Sequence, residues 1–266
     1  MAKLDDLQIK ISEKKKMIIS FSGGVDSGLL AKIATDVLGE DAICVILDSE
    51  TLPRNELKNA EKLARSLNFN LEIAQISLLA DKEFAENSPH RCYFCKKASS
   101  RALKKIAAER DIECIADGLN LSDFNEYRPG ISASDEEGIW HPFVEAGFFK
   151  EEIREIARIM CLTFWNKPSS PCLSSRIPYS ERITRENLMM VETAENYLIS
   201  CGLRQLRVRA HGRLARIESL KEDHEKVLSK SHDVTAIFRS IGFDYVTLDL
   251  EGFRSGSMND ALVRKN

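Results

Sequence analysis

A glycine-rich turn between an apolar run and a helical pattern constrains the fold of this chain most strongly. Residues 20–27 read S-F-S-G-G-V-D-S and directly follow the apolar run 17–19. Gly23 and Gly24 allow backbone angles that other residues avoid, so consecutive amide groups can point into one concavity. Apolar residues at helical spacing in 29–38 predict a helix whose positive end faces the same point. The segment therefore predicts a strand, a phosphate-binding turn and a helix in succession.

The side chains of this turn indicate which kind of phosphate site it forms. Ser22 and Ser27 add hydroxyl donors, and the turn lacks the Gly-Lys-Ser/Thr ending of a Walker-type loop. It resembles the PP-loop of the N-type ATP pyrophosphatases, which adenylate a substrate oxygen and release pyrophosphate. The resemblance implies that the following residues bind ATP: Ser22, Gly23, Gly24, Asp26 and Ser27. Asp26 is also a candidate catalytic residue that reaches Mg²⁺, the alternative being a helix-start carboxylate in an ordinary Ser/Gly turn.

Strand and helix patterns alternate through the first half of the chain. Strand-length apolar runs at 42–48, 71–76 and 112–117 are separated by segments with helical spacing. Such alternation predicts an α/β fold, a doubly wound, Rossmann-like parallel sheet with helices on both faces. Ligands of such sheets bind beyond the carboxyl ends of the strands, so Ser49 and Gly118 are predicted to lie at the ATP-binding edge.

Two further segments are assigned to this sheet. Residues 140–143, W-H-P-F, are expected to close it. Arg128 lies in a loop just beyond the fourth predicted strand, and we assign it to the ATP-binding edge as well.

A proline- and serine-rich stretch divides the chain. The fourteen residues N-K-P-S-S-P-C-L-S-S-R-I-P-Y, starting at residue 166, hold three prolines and four serines, which is a loop composition. We therefore predict a PP-loop domain at 1–165, a cysteine-bearing linker at 166–182 and a C-terminal domain at 183–266. Helical spacing and two short strand patterns follow the linker, so the last part is predicted to be a small α+β domain.

The composition narrows the class of partner. The 266 residues are 43% hydrophobic and 30% charged, as in soluble globular proteins. The net charge of −3 makes a nucleic-acid partner unexpected. No apolar run approaches the ~20 residues that span a bilayer, and the N-terminus has no apolar signal-peptide core. We therefore expect a cytoplasmic protein without a membrane partner.

Four of the seven cysteines fit a structural role. Cys44 and Cys114 fall inside predicted strands, and Cys161 and Cys201 lie near predicted helix ends. Each is expected to be a small buried hydrophobic residue. An odd number of cysteines in such a chain favours thiol chemistry or metal binding over a disulfide framework.

The other three cysteines lie in polar surroundings. Cys92 and Cys95 belong to H-R-C-Y-F-C-K-K at the start of a predicted helix, where the dipole and the adjacent cations favour thiolates. Cys172 lies in the linker beside Arg176 and is expected to be exposed. If the three fold together, they suit a [4Fe–4S] cluster with one open iron. Zinc bound with water or His90, and a Cys92–Cys95 disulfide, are the alternatives.

Seven short motifs occur in an order that identifies a family. They are S-F-S-G-G-V-D-S (20–27), E-Y-R-P-G (126–130), W-N-K (165–167), P-C-L-S-S-R (171–176), R-V-R (207–209), A-R-I-E (215–218) and V-T-L-D-L-E-G-F-R-S-G-S-M-N-D (246–260). Together they resemble the LarE family of ATP-dependent sulfur transferases, the pyridinium-3,5-bisthiocarboxylic acid mononucleotide synthases, essentially from end to end. The tail and the cysteine loop discriminate better than the PP-loop, which many pyrophosphatases share.

The resemblance implies ATP-dependent sulfur insertion into pyridinium-3,5-biscarboxylic acid mononucleotide through a carboxylate adenylate. This reaction belongs to the biosynthesis of the nickel-pincer nucleotide of lactate racemase and related enzymes. Cys172 stands at the family's sulfur-handling position. One branch sacrifices that sulfur, leaving dehydroalanine, whereas another carries three cysteines that bind a [4Fe–4S] cluster. Since Cys92 and Cys95 are present, the chain resembles the second branch, with sacrifice as the alternative; the family also implies a homo-oligomer.

The substrate of this family, which carries a phosphate and two carboxylates, calls for arginines in its pocket. Arg207 and Arg209 are two apart on a predicted strand and therefore share a face. We assign both, with Arg254 of the tail, to substrate binding. Arg176, four residues after Cys172, is assigned to catalysis. A solvated surface charge is the alternative for each arginine.

Three other functions fit parts of the pattern. PP-loop enzymes that thiolate tRNA also proceed through an adenylate, but they need a basic surface or a zinc module that this sequence does not indicate. An amidotransferase-type synthetase would use ammonia, which would make the cysteines incidental. A non-catalytic nucleotide-binding protein is disfavoured by the intact S-G-G-V-D-S turn.

Overall fold

The computed structural model describes residues 2–125, 129–254 and 256–259. Its helices are α1 (Ala2–Glu13), α2 (Val25–Leu38), α3 (Arg54–Ser66), α4 (Lys82–Ala85), α5 (Arg91–Glu109), α6 (Gly130–Glu136), α7 (Pro142–Glu145), α8 (Lys150–Ile159), α9 (Arg185–Ser200), α10 (His224–Ser229) and α11 (Ser231–Ile241). Its strands are β1 (Met17–Ser20), β2 (Ala42–Asp48), β3 (Asn70–Gln75), β4 (Cys114–Ala116), β5 (Leu206–His211), β6 (Leu214–Ser219) and β7 (Tyr245–Leu248). Within the described ranges, none of these helices has the length and apolarity to cross a membrane.

The chain divides into two compact units. Unit 1 comprises Met1–Leu78 and Cys92–Ser170, and unit 2 comprises Leu79–Arg91 and Pro171–Asn266. The domain ranges predicted from the sequence are continuous, whereas unit 2 also takes in a short segment from the first half of the chain. Backbone bonds explain this membership, because the amide of Ile183 donates to the carbonyl of Ala85 at 2.8 Å.

Unit 1 is built on a four-stranded parallel sheet with the strand order β3-β2-β1-β4. In its register, Ile19 of β1 lies opposite Cys44 of β2 and Ala116 of β4. Side chains alternate between the faces of a strand, so Ile19 packs in a core that includes residues of α1, α2 and α8. Ile18 packs on the opposite face with Leu103 of α5. The predicted doubly wound α/β fold is therefore confirmed.

The segment expected to close this sheet does so only in part. Trp140 forms a single parallel bridge with Ala116. The ladder cannot continue, because Pro142 has no amide hydrogen and begins the short helix α7. Of the residues expected to close the sheet, only Trp140 adds to it among the described bridges.

Unit 2 contains a three-stranded sheet of order β5-β6-β7. Strands β5 and β6 are antiparallel, and β7 adds to β6 in parallel. Helix α9 buries Leu188, Val191 and Leu198, which recur at helical spacing, and α11 buries Val234 and Phe238. These elements form the small α+β unit that the sequence predicts.

Candidate active site

Two serines at the ends of the glycine turn after β1 are hydrogen-bonded to each other. The hydroxyl oxygens of Ser22 and Ser27 lie 3.0 Å apart, and the Ser22 amide donates to Ser27 Oγ at 3.2 Å. Gly23 has a φ of +69°, and a Cβ at this position would lie 2.6 Å from the Cβ of Ala60 on α3. Glycine is therefore required there both by the backbone conformation and by the neighbouring helix. Gly24 occupies the N-cap of α2, so the turn leads directly into the free amides of that helix.

Gly118, which follows β4, packs directly on this turn. A Cβ at position 118 would lie 2.7 Å from the Ser27 amide nitrogen and 2.9 Å from the carbonyl carbon of Asp26. Only glycine allows so close an approach without a shift of the backbone. The structure thus places Gly118 against two residues of the predicted ATP site.

Asp26, in the first turn of α2, is held by two residues that the sequence analysis did not single out. It forms an ion pair with Lys150 at the start of α8, and Asn120 Nδ2 lies 3.4 Å from its Oδ1. Its carboxylate is partly exposed and lines a cavity. Carboxylate oxygens beside phosphates are the ligands that Mg²⁺ prefers, so Asp26 fits a magnesium ligand.

The W-N-K motif (165–167) binds the backbone of the glycine turn through its lysine. Lys167 Nζ donates to the carbonyl of Gly23 at 3.0 Å and pairs with Glu56 of α3 at 2.8 Å. Arg154 of α8 in turn donates to the carbonyls of Trp165 and Lys167, at 3.1 Å and 3.0 Å. The motif was noted only as part of the family pattern, and its contact with the glycine turn was missed.

A cavity of about 550 Å³ in unit 1 joins the glycine turn to the cysteine pair. Its described lining includes Ser22, Asp26 and Ser27 of the turn together with Cys92 and Cys95. The first turn of α5 carries the two cysteines three positions apart, a spacing that brings side chains to neighbouring positions on a helix. The structure therefore brings the predicted phosphate site and two of the predicted thiol ligands to one cavity.

The predicted three-cysteine site is represented in this cavity by two of its members. Cys92 is exposed and Cys95 is partly exposed, so both suit the role of metal ligand or reactive thiol. Among the residues that the structure describes, no three His, Cys, Asp or Glu side chains are grouped so that they could hold a metal ion. The pair fits two ligands of an iron–sulfur cluster, and the third ligand stays a prediction.

A buried carboxylate in the cavity wall binds two cationic side chains. Asp117 Oδ2 accepts from Lys96 Nζ at 2.7 Å, and Asp117 Oδ1 lies 2.7 Å from His141 Nδ1. His141 Nε2 lies 3.2 Å from Asp135 Oδ1, so both ring nitrogens face carboxylates. Burial by itself raises the pKa of Asp117, but His141 and Lys96 outweigh it and hold that pKa well below its usual range. Burial lowers the pKa of His141, whereas Asp117 and Asp135 raise it, and the net result is a raised pKa.

This arrangement predicts a pH-dependent effect of replacing His141. Because its pKa is higher in the folded state, its charge stabilises the fold fully below the unfolded pKa of about 6.5. That stabilisation is lost as the pH rises through the folded pKa. His141→Gln is therefore expected to lower the free energy of unfolding more at about pH 5.5 than at about pH 8.5. The loss at the lower pH should be on the order of 2 kcal/mol, typical of a buried hydrogen bond to a charged group.

Urea unfolding at both pH values measures this difference. His232 provides the control, because its side chain is 97% exposed and faces only the exposed Asp233. His232→Gln should leave the free energy of unfolding unchanged at either pH. Equal losses for His141→Gln at the two pH values would contradict the assignment.

Ser49 lies at the predicted edge of the sheet but is turned inward. It is buried directly after β2, and its Oγ lies 3.0 Å from Thr51 Oγ1. Arg54 donates to the Ser49 carbonyl at 2.9 Å and pairs with Asp48 at 2.6 Å. The end of β2 is thus braced by Arg54, while Arg128, the other residue assigned to this edge, lies outside the described residues.

In unit 2, Cys172 precedes a single 3₁₀ turn, Leu173–Arg176. It was expected to be exposed, and the structure makes it half-buried, with its Sγ 3.1 Å from Ser174 Oγ. Arg176 is only 2% exposed; it donates to the Cys172 carbonyl at 3.0 Å and makes two 2.9 Å bonds to Glu195. The guanidinium of Arg176 is therefore engaged in holding the cysteine loop.

The arginines assigned to substrate have different surroundings. Arg209 is buried and binds Glu218 through two nitrogens, at 3.1 Å and 2.8 Å, and it donates to the Ser175 carbonyl at 2.6 Å. Arg207 is half-buried on the same strand; burial, together with the charges of two neighbouring arginines, lowers its pKa to about 10. Arg254 is exposed and pairs with Glu251. The guanidinium of Arg209 is thus engaged by groups of its own chain.

The remaining cysteines only partly match their predicted burial. Cys44 is buried, and burial raises the pKa of its thiol to about 12. Burial likewise raises the pKa of Cys114 to about 11. Cys201 is partly exposed, and Cys161 is exposed because it follows the last turn of α8 with a positive φ of 54°. The prediction that Cys161 is a buried hydrophobic residue was wrong.

Sequence comparisons relate the chain to known proteins. A family model described as NAD synthase matches residues 4–104, which include the glycine turn. The chain is 40% identical over 265 residues to the pyridinium-3,5-bisthiocarboxylic acid mononucleotide synthase of Lactiplantibacillus plantarum, covering 99% of this chain and 94% of that protein. It is 39% identical to an uncharacterised protein of Synechocystis, with 99% of each covered. It is 31% identical to an uncharacterised protein of Methanocaldococcus jannaschii, with 96% and 98% covered.

Proposed function

Because the chain belongs to the LarE family of pyridinium-3,5-bisthiocarboxylic acid mononucleotide synthases, we propose that it is an ATP-dependent sulfurtransferase acting on pyridinium-3,5-biscarboxylic acid mononucleotide. The product would serve the biosynthesis of a nickel-pincer nucleotide. The observation that carries the proposal is the single cavity lined by the glycine turn and by Cys92 and Cys95. A nucleotide activated at the turn would lie beside groups that can handle sulfur.

The first half-reaction activates a carboxylate. An oxygen of the substrate carboxylate attacks the α-phosphate of ATP, and the bond to the β-phosphate breaks, so pyrophosphate leaves and an acyl adenylate remains. The amides and hydroxyls at Ser22, Gly24 and Ser27 would bind the departing phosphates, where negative charge accumulates. Asp26 would bind Mg²⁺ once Lys150 releases it or shares it. Lys167, through the Gly23 carbonyl, would keep the turn in place.

The second half-reaction replaces oxygen by sulfur. A sulfur nucleophile attacks the activated carbonyl carbon, AMP leaves with the original oxygen, and a thiocarboxylate results. We propose that Cys92, Cys95 and Cys172 provide the thiolates of a [4Fe–4S] cluster, which when bound supplies an open iron for sulfide. The alternative is that Cys172 gives up its own sulfur and becomes dehydroalanine, which limits each chain to one transfer. By the same family resemblance, we propose a homo-oligomer that works in the cytoplasm.

A single-turnover experiment tests the function. Anaerobically purified protein is mixed with ATP, Mg²⁺ and the biscarboxylic mononucleotide, and both pyrophosphate and the mass of the mononucleotide are followed. We expect pyrophosphate release that depends on the substrate and a product in which one oxygen is replaced by sulfur. An amide product formed with added ammonia would assign an amidotransferase-type synthetase instead, and turnover with tRNA alone would assign tRNA thiolation.

The cysteine pair gives a prediction that separates sulfur handling from activation. Cys92→Ala is expected to abolish the brown iron–sulfur chromophore and multiple-turnover sulfur transfer. Pyrophosphate release should stay within about two-fold of wild type, because the phosphate-binding groups are unchanged. Absorbance and iron content of reconstituted protein measure the first effect, and a pyrophosphate assay measures the second.

Cys161→Ala is the matched control for this variant. It removes another exposed thiol of unit 1, one that is absent from the described lining of the cavity. The control should keep both the chromophore and sulfur transfer. A fully iron-loaded wild type without a chromophore would refute the cluster.

A further inference from the structure

A short segment of unit 2, residues 79–91, binds the backbone that follows Cys172. Asn87 at its centre is fully buried. Asn87 Nδ2 lies within hydrogen-bond distance of three carbonyl oxygens, those of Ile177 at 3.2 Å, Pro178 at 2.7 Å and Glu181 at 2.9 Å. One amide group thus contacts three carbonyls within residues 177–181, a stretch of irregular backbone.

Arg91, at the end of the same segment, binds the loop closer to the cysteine. Its side chain is buried, and its Nη1 donates to Asn87 Oδ1 at 2.7 Å and to the Ser174 carbonyl at 2.9 Å. Its guanidinium lies 4.9 Å from the ring centre of Tyr179. Asn87 and Arg91 therefore support each other and contact the loop within the 3₁₀ turn and after it.

These contacts supply hydrogen-bond donors to backbone carbonyls. Residues 177–184 form no helix or strand, so their buried carbonyls lack the partners that regular structure provides. The amide of Ser180 also donates to the Asn87 carbonyl at 3.0 Å. The Sγ of Cys172 faces Ser174 Oγ. Among the described contacts, neither Asn87 nor Arg91 has a hydrogen bond to this thiol.

We propose that Asn87 and Arg91 are positioning residues that fix the backbone beyond Cys172 and thereby set the direction of its thiol. The assignment of sulfur transfer to Cys172 rests on the proposed function, but the control of loop geometry does not. Since a misplacement of about 1 Å in a reacting group can cost about 100-fold in rate, this control matters for the second half-reaction. Nothing in the first half-reaction requires these two side chains.

Two variants of Arg91 test the proposal. Arg91→Met keeps much of the apolar volume and removes every donor, whereas Arg91→Lys keeps one donor that can reach the Ser174 carbonyl. Hydrogen exchange by mass spectrometry of peptides covering 172–183 is the direct readout. Exchange there should be about 10-fold faster in Arg91→Met, as expected when a buried hydrogen bond is lost, and intermediate in Arg91→Lys.

Two further measurements connect the loop to function. The rate of Cys172 alkylation by iodoacetamide should change in the same order as the exchange rate: most in Arg91→Met and to an intermediate extent in Arg91→Lys. Formation of thiolated product should fall about 10-fold or more in Arg91→Met, with pyrophosphate release within about two-fold of wild type. Arg204→Met, at an exposed position between α9 and β5, is the matched control and should change none of these quantities.

Two outcomes overturn the proposal. Unchanged exchange and alkylation in Arg91→Met would mean that the loop keeps its geometry without these bonds. Faster exchange throughout unit 2, including the α9 and β5 peptides, would mean that Arg91 stabilises the unit as a whole and does not position the loop. If the wild type released no pyrophosphate, the proposed function would fail, and the exchange and alkylation data would still decide the role of Arg91.

Discussion

Replacing Cys172 by serine is expected to abolish formation of the thiolated product while ATP-dependent release of pyrophosphate stays within about two-fold of wild type. A serine oxygen cannot be transferred as sulfur, and it is a poorer ligand than a thiolate for the iron of a cluster. The substitution preserves the local backbone, because a serine hydroxyl can still bond Ser174 Oγ, now 3.1 Å from the thiol. Anaerobic assays of pyrophosphate and of thiolated mononucleotide on the same sample measure the two effects.

The separation of these effects follows from where the groups lie. The glycine turn proposed to bind phosphate, with Lys150 and Lys167 that bind it, belongs to unit 1, whereas the Cys172 thiol is part of unit 2. In the proposed function, Cys172 takes no part in adenylation, whereas the arginines of unit 2 that are assigned to the substrate are needed in both half-reactions. A cysteine that served merely to fold unit 2 would reduce both half-reactions together.

Cys201→Ser is the control for this prediction. Cys201 is another partly exposed thiol of unit 2, at the C-cap of α9, and no role in the reaction is assigned to it. Its variant should form product at the wild-type rate.

Intact-protein mass spectrometry of the wild type after one turnover then distinguishes the two sulfur sources, since a chain that has lost the elements of H₂S has sacrificed Cys172. Thiolated product from Cys172→Ser would contradict both routes.

Elements whose signal is local could be predicted from the sequence. Strand β2 has the predicted bounds, Ala42–Asp48, because it is buried on both faces and therefore reads as one apolar run. Helix α1 was not predicted, since only Leu7 and Ile11 of its 12 residues are buried. Two apolar side chains among charged neighbours give too weak a period for a helix to be recognised.

The clamps of the site could not be predicted, because their partners are distant in sequence. Lys167 and Gly23 are separated by 144 positions, Lys150 and Asp26 by 124, and Arg91 and Ser174 by 83. Only the folded sheet brings the members of such pairs together. A motif can indicate that a lysine is part of a family pattern, but not which carbonyl it binds.

The binding partners of the arginines also could not be predicted from the sequence. Spacing predicted that Arg207 and Arg209 share a face, which is a local property of a strand. Whether an arginine binds substrate or a carboxylate of its own chain depends on the strand beside it. Glu218 on β6 engages Arg209 and also pairs with Arg216 at 2.9 Å, so this carboxylate neutralises charge that the sequence had assigned to substrate.

Replacing Gly118 by alanine is expected to reduce pyrophosphate release about 100-fold, the usual cost of displacing reacting groups by about 1 Å. The added methyl would lie 2.7 Å from the Ser27 amide nitrogen and 3.0 Å from the Asp26 Cβ. The first contact is shorter than real Cβ atoms tolerate, and the second is tighter than most of them. Because the Ser27 nitrogen is backbone, the start of α2 must move. That movement would displace both the amides proposed to bind phosphate and the carboxylate proposed to bind Mg²⁺.

Overpacking also destabilises the fold, by about 1–3 kcal/mol, so the loss of activity needs a control of equal instability. Ile153→Val provides one, because Ile153 is buried in α8, is absent from the described lining of the cavity, and its truncation costs about 0.5–1.5 kcal/mol. Thermal unfolding shows whether the two variants have the same melting temperature. The rates of pyrophosphate release are then compared at a temperature where both variants are folded. If Gly118→Ala released pyrophosphate as fast as Ile153→Val, contact between β4 and the turn would not govern activation, and the phosphate site would have to be sought elsewhere in the cavity.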